Sequence, residues 1–424
     1  MNAIVIGSGL SGLTAALTLA KAGWKVDIFE QAEEAGGVTQ GCSQQGFHWD
    51  YGQLNIEAIG ANEPVGEVLA ALGVLSKIQA IVDQREYIFP DFTITTPEQY
   101  RGLKWRIDLL KHQFPAEASG LDKYWKDYVR FTRLLTHARR MEKETGARKI
   151  AAQAKFYLAL LPLLPMKDWS AEKLAAHYFQ SEKLRCVFIS ILADLFTPPS
   201  QFIGLGIFAL NTETFFEKRM PSHLAYNAEM LHLYSIRGGM AALVRAFVDE
   251  LQSNGGVIHT GCAVTKVTVE EGKATGVIDQ AGVTHPADAV IASGGAKELF
   301  CKLIDPGWAN PGFIEKVQKI PLMDSVFMVH LGLDMDPSPY LRTTSTYFYG
   351  TYDVEGEIGR ARLGIYHEGA SGFVVHFPTL VSPESAPNGK HAITLYTICP
   401  DRLASGTWEV DKERFAGQLL KYAE

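Results

Sequence analysis

Cysteine is scarce in this chain of 424 residues: Cys42, Cys186, Cys262, Cys301 and Cys399 are scattered, and no C-x-x-C occurs. That spacing argues against a metal cluster, a redox dithiol or a secreted disulfide framework, and Cys42 reads as a small packed thiol. Long apolar runs are missing too. None reaches the roughly 18 residues a transmembrane helix requires. There is no cationic excess, since 47 acidic against 40 basic residues give a net charge of −7. Nucleic acid is therefore not an expected partner. No basic segment precedes the first apolar stretch, so a signal peptide is not expected and the cytoplasm is the default location. Internal repeats and low-complexity tracts are also lacking. The length favours two interleaved domains over one.

What is present begins at once. Residues 3–6 form an apolar strand that runs into Gly7-Ser8-Gly9-Leu10-Ser11-Gly12; an apolar-periodic helix follows (Leu13, Ala16, Leu17, Ala20), then a strand at 25–29 that ends in Glu30. Each position has a physical task. Gly7 allows a tight turn, Gly9 lets backbone approach a pyrophosphate, and Gly12 lets the helix pack close to the sheet. The helix start offers N–H groups and a favourable field to phosphate, beside the Ser8 and Ser11 hydroxyls. Glu30 is placed to accept from a ribose 2′-hydroxyl, which favours an adenosine without a 2′-phosphate. A G-x-G-x-x-G in the setting strand–turn–helix–strand–acid is a strong dinucleotide signature.

The next segment bears on which dinucleotide. After Glu30 come Gly36-Gly37-Val38-Thr39 and then Phe47-His48-Trp49-Asp50-Tyr51-Gly52-Gln53, where a small NAD fold would continue into another strand–helix repeat. Glycines at these points let backbone lie against a cofactor. This stretch resembles the amine oxidase and phytoene desaturase superfamily of flavoproteins, in which the GG-x-x-[ST] and D-x-G segments flank FAD. Val38 replaces an arginine of many relatives, and Gln53 a proline. The resemblance implies FAD contacts at Gly36, Gly37, Asp50, Gly52 and Gln53.

Further blocks agree with it. Gly238-Gly239-Met240 precedes an amphipathic helix with Leu243, Val244, Phe247 and Leu251 on its inner face, and Gly255-Gly256 closes it before a strand at Val257. Strands are expected at 264–269, 274–278 and 288–292. The resemblance implies that backbone at Val264 meets the adenine. The run 325–334, Phe377-Pro378-Thr379 and the stretch from Ala386 to His391 resemble the branch of bacterial phytoene desaturases, carotenoid isomerases and retinol saturases.

Residues 63–220 read mostly as helix. One aromatic stripe holds Leu121, Tyr124, Trp125, Tyr128, Phe131 and Leu135; helices at 171–179 and 182–196 follow, the second stopped by Pro198-Pro199. Between them residues 156–166 are apolar and broken by proline, with Arg139, Arg140, Lys143, Arg148, Lys149 and Lys155 upstream. This suits either a buried cap helix with a solvated charged face or an interfacial anchor at the mouth of a lipid tunnel. Residues 321–397 read as a substrate-domain sheet.

The expected architecture is α/β: a Rossmann-like FAD-binding domain (1–62 and 235–305) interleaved with a helical cap (63–234) and a substrate region with a mixed or antiparallel sheet (306–424). The expected function is FAD-dependent oxidation, saturation or isomerisation of a lipophilic polyene, with peripheral membrane contact as an option. An amine-oxidase-like enzyme and a flavin-fold binding protein without turnover are the alternatives. No second G-x-G-x-x-G suggests an NADPH site, so electrons are expected to pass to oxygen, a quinone or another carrier, or to return to product in an isomerase. His48, His330, His367, His376 and His391 are all conceivable bases, and none stands out. The helix at 411–424 stops without a capping glycine or proline. In the resembling family a later glycine-rich segment covers the flavin ring, so the sequence is expected to be a fragment with a complete ADP-binding half.

Overall fold

Strand–helix–strand–acid becomes a parallel sheet in the computed structural model, which describes residues 1–223, 229–320 and 325–424. Strands Val257–His259, Lys25–Phe29, Asn2–Ile6 and Ala289–Ala292 lie side by side in that order, all parallel. The two central strands, Asn2–Ile6 and Lys25–Phe29, are mostly buried, as parallel strands covered on both faces are, while the two outer ones are more open. Helices Leu10–Lys21 and Met240–Ser253 pack together. Their inner residues Leu13, Leu17, Leu243 and Phe247 share one core with Val5 and Ile28. Gly12 makes the close approach that its position implied: a Cβ there would fall 2.1 Å from the Gly7 carbonyl oxygen.

Strands Val264–Glu270, Lys273–Asp279 and Thr284–Pro286 form a separate antiparallel sheet beside the parallel one. The largest sheet has six strands in the order Ser325–Leu333, His391–Cys399, Gly372–His376, Ser345–Tyr349, Arg85–Ile88 and Thr93–Ile94. It is mixed, because Ser345–Tyr349 runs parallel to Arg85–Ile88 and antiparallel to Gly372–His376. The region 63–234 is therefore not helix alone. It lends two strands to this sheet, and a third, Ala80–Asp83, to a small sheet with Leu233–Ile236. The start of the expected 321–397 sheet segment lies outside the described residues.

The aromatic stripe becomes helix Ala118–Lys143, which buries Leu121, Tyr124, Tyr128 and Phe131. Leu134 takes the inward place expected of Leu135, which stays exposed. The segment expected to be helical at 182–196 is α-helix only over Glu182–Ile189 and then tightens into a 3₁₀ turn, Ser190–Leu192. At the centre of the cap, Arg106 and Glu213 are fully buried and joined at 2.8 Å. Arg106 also lies over the Phe216 ring, 4.1 Å from its centroid. Among the described residues no helix is long and apolar enough to cross a membrane.

Candidate cofactor site

The carboxyl ends of the parallel strands open into a cavity of about 740 Å³, within the roughly 300–1,000 Å³ span of small-molecule and cofactor clefts. Open α/β sheets bind ligands at this edge. Gly7, Gly9, Ser11, Glu30, Gly36, Gly37, Gln53 and Val264 all line it. Gly7 has φ +93°, a left-handed conformation that favours glycine. Gly9 has an ordinary φ of −60°, and no side chain caps the helix that starts after it. Nothing lies within 4 Å of a Cβ built on Gly9. The helix start is thus bare backbone facing an open cleft, the arrangement that receives a pyrophosphate.

Ser8 and Gly12 sit beneath this surface. Ser8 is fully buried, and its backbone N–H and hydroxyl donate to Glu30 Oε2 at 2.8 and 2.6 Å. The Ala32 N–H donates to Glu30 Oε1 at 2.9 Å. Burial pushes the Glu30 carboxyl up, but these donors and the Gln31 N–H outweigh it and hold it below the usual carboxylate range. Glu30 therefore ties the glycine turn to the second strand's end as well as bordering the cleft. Glu30→Ala is expected to weaken FAD by about 1–3 kcal/mol in a flavin titration, from lost hydrogen bonds to a charged acceptor. Glu30→Gln, which keeps one acceptor oxygen, should lose less.

Asp50 is not among the residues that line this cleft. It is buried under helix Met240–Ser253, where both carboxylate oxygens accept from the Met240 N–H, at 2.9 and 3.0 Å. A carboxylate suits a helix N-terminus, and Gly239, with φ +74°, leaves room for it: a Cβ there would come within 2.7 Å of Asp50 Oδ1. Burial pushes Asp50 up to about 6, against the Met240 and Ala241 N–H groups and Arg245. A raised carboxyl pKa favours the folded state while the folded form alone holds the proton. The group's contribution is thus present below the unfolded pKa near 4 and lost as pH rises through about 6. Urea titrations are expected to show the stability of Asp50→Asn, relative to the parent, rising across that window and level above it. Gly52 borders a neighbouring chamber rather than the nucleotide cleft.

None of the five candidate histidines lines the cleft. His330 is bonded to Thr394 and His367 to Thr397, each at 2.9 Å. Burial lowers both of their pKa values. His376 is pushed down to about 4 by burial. His48 accompanies Ser43 on the hairpin Gly41–Gln44/Phe47–Asp50, and His391 lies near Thr379. Sequence reasoning missed Ser293, whose hydroxyl donates to the Ile6 and Gly7 carbonyls at 3.0 and 3.1 Å and closes the turn from below. Its signal was available: Ser293-Gly294-Gly295 directly follows the fourth parallel strand.

Residues 10–420 match the family described as flavin containing amine oxidoreductase. The chain belongs to that family. The flavin expected from the glycine motifs is thus the cofactor proper to the family, and the resemblance to its phytoene desaturase branch holds. The chain is 24% identical over 346 residues to a 4,4'-diapophytoene desaturase (4,4'-diapolycopene-forming) of Methylomonas sp, across 78% of this chain and 61% of the relative. It thus spans less than two thirds of that desaturase's length. It is 23% identical over 440 residues to prolycopene isomerase 1 of an Oncidium hybrid cultivar, across 100% of this chain and 69% of the relative. A solved oxidoreductase from Methanosarcina mazei shares the fold, with a TM-score of 0.62 at 19% identity, covering 99% of this chain and 83% of that one.

Proposed function

We propose that this flavin-containing amine oxidoreductase binds FAD in the 740 Å³ cleft and acts on an elongated lipophilic polyene. FAD, when bound, supplies the electron chemistry. Gly7, Gly9 and Ser11 hold its phosphates, Glu30 and Val264 its adenosine, and Gly36 and Gly37 pass close to it. The observation that carries the substrate reading is a chamber of about 310 Å³ that shares Gln53 and Glu57 with the cleft and has Ile191, Leu195, Val326 and Met328 in its wall. Such a wall excludes water from an apolar chain lying next to the cofactor. Desaturation, saturation and isomerisation all use this arrangement. Anaerobic incubation of FAD-loaded protein with membrane lipid extract tests it. Bleaching of the flavin together with a changed polyene supports oxidation. A changed polyene without net bleaching supports isomerisation, a polyene changed only after the flavin is reduced with dithionite supports saturation, and an extract unchanged in both redox states sinks the reading.

We also propose that the protein reaches its substrate by resting on a membrane surface. The support is helix Gly146–Leu160, in which Ala152 alone is buried, and the 3₁₀ turn Leu161–Met166 after it. Leu158 is 67% exposed and Leu161 58%, beside exposed Ile150 and Tyr157. The exposed cations Arg148, Lys149 and Lys155 complement an anionic surface. Leu158→Asp with Leu161→Asp is expected to abolish flotation with vesicles containing phosphatidylglycerol while leaving the melting temperature unchanged. Leu163 is fully buried and belongs to the fold instead. Undiminished flotation of the double variant rules the anchor out.

A further inference from the structure

The chamber beside the cleft is apolar on only part of its wall. Arg85, Asp194, Tyr347 and Tyr396 also line it and form one cluster. The Tyr396 hydroxyl donates to Asp194 Oδ2 at 3.5 Å, and Arg85 and Tyr347 also act on that carboxyl. Arg85 is more than nine-tenths buried. Its guanidinium lies over the Phe215 and Phe216 rings at 5.2 and 5.0 Å. One nitrogen donates to the Leu210 carbonyl, whereas Nε has no partner, and Arg85 enters no ion pair among the described residues.

The Glu57 and Asp194 carboxylates attract Arg85 through space, but its unused donors remain costly, and a purely hydrocarbon occupant would leave that cost standing. A ligand oxygen would relieve it. We propose that this chamber binds the oxygen-bearing end of an elongated apolar molecule, with Arg85 donating to that oxygen and Tyr347 and Tyr396 orienting it. The inference rests on the polyene reading above and adds an end group to it: an alcohol, aldehyde or carboxylate oxygen accepting from Arg85. The apolar body then lies along Ile191, Leu195 and Met328, toward Gln53 and the flavin cleft. Burial pushes the Asp194 carboxyl up to about 6, against Tyr347, Arg85 and Tyr396. The terminal oxygen fixes which bonds of the chain reach the cofactor, so Arg85 is a positioning residue for regiochemistry.

The test compares ligands of one carbon skeleton: all-trans-retinal, all-trans-retinoic acid and the hydrocarbon axerophtene. Each is titrated into the protein in a fixed amount of detergent and followed by tryptophan fluorescence. Both oxygen-bearing ligands should bind at least about tenfold more tightly than axerophtene. Arg85→Met should erase that preference and leave axerophtene affinity unchanged. Equal affinity of all three for the parent protein overturns the end-group inference and leaves the polyene reading in place. Failure of all three to bind overturns both. If Arg85→Met does not fold by circular dichroism, the parent comparison and the Tyr347→Phe/Tyr396→Phe pair answer the same question: a preference unmoved by that pair removes the tyrosines from the site.

Discussion

Gly9→Ala should yield a protein as stable as the parent that no longer retains flavin, whereas Gly12→Ala should lose both stability and flavin. The two glycines stand three positions apart in one motif, yet the space around them differs. A Cβ on Gly9 meets no protein atom within 4 Å, and the backbone there has φ −60°. The added methyl costs the apoprotein nothing and occupies the place where a pyrophosphate would approach. A Cβ on Gly12 would stand 2.1 Å from the Gly7 oxygen and 2.8 Å from Ser293 Oγ. The helix must then move off the sheet, at about 1–3 kcal/mol by the usual cost of overpacking, and the phosphate-facing helix start moves with it. Flavin content after purification and the urea midpoint separate the cases. Retention of flavin by Gly9→Ala would remove the helix start from the cofactor site.

The second large effect is expected at the centre of the cap, far in sequence from the glycine motif. Glu213→Ala leaves Arg106 as a fully buried cation without its carboxylate, and breaking such a pair costs about 3–5 kcal/mol. Three donor contacts from Arg106 to Glu213, at 2.8, 3.2 and 3.2 Å, are lost together. Arg106 Nη2 keeps the Asn211 carbonyl at 3.1 Å, which does not neutralise it. The double variant Arg106→Met/Glu213→Leu should recover most of the loss, since apolar residues of similar volume fill the same space without charge. Urea denaturation of the parent, Arg106→Met, Glu213→Leu and the double variant gives the coupling directly. A single variant as stable as the parent would mean that water reaches the pair.

The nucleotide lobe was legible because its signals are local. Gly7, Gly9, Gly12 and Glu30 occur within one strand–helix–strand unit, where spacing alone fixes geometry. Asp50 shows the limit. The motif around it was visible, but its partner is the N–H of Met240, 190 residues away, and only tertiary packing turns a carboxylate near the flavin segment into a helix cap. Strand Arg85–Ile88 was hidden for a related reason. Arg85 and Glu86 look like surface residues, yet the strand lies inside a sheet beside Ser345–Tyr349, where tertiary contacts override a polar pattern. Asp194 was invisible for the same cause. It stands on an irregular turn and gains meaning only from Tyr347 and Tyr396, which arrive much later in the chain.

The parallel pairing of Asn2–Ile6 with Ala289–Ala292 also has a consequence during synthesis. The strand Asn2–Ile6 and its glycine turn leave the ribosome well before Ser293, which holds the turn from below and comes nearly three hundred residues later. At about 5–20 residues per second, the amino-terminal unit waits roughly 15–60 s for the strand that completes its sheet. Throughout that interval the outer edge of Asn2–Ile6 is an open, apolar strand edge, the kind that pairs with other chains. Newly made chains should therefore depend on chaperones until residue 293 has emerged, and added flavin should not rescue them earlier.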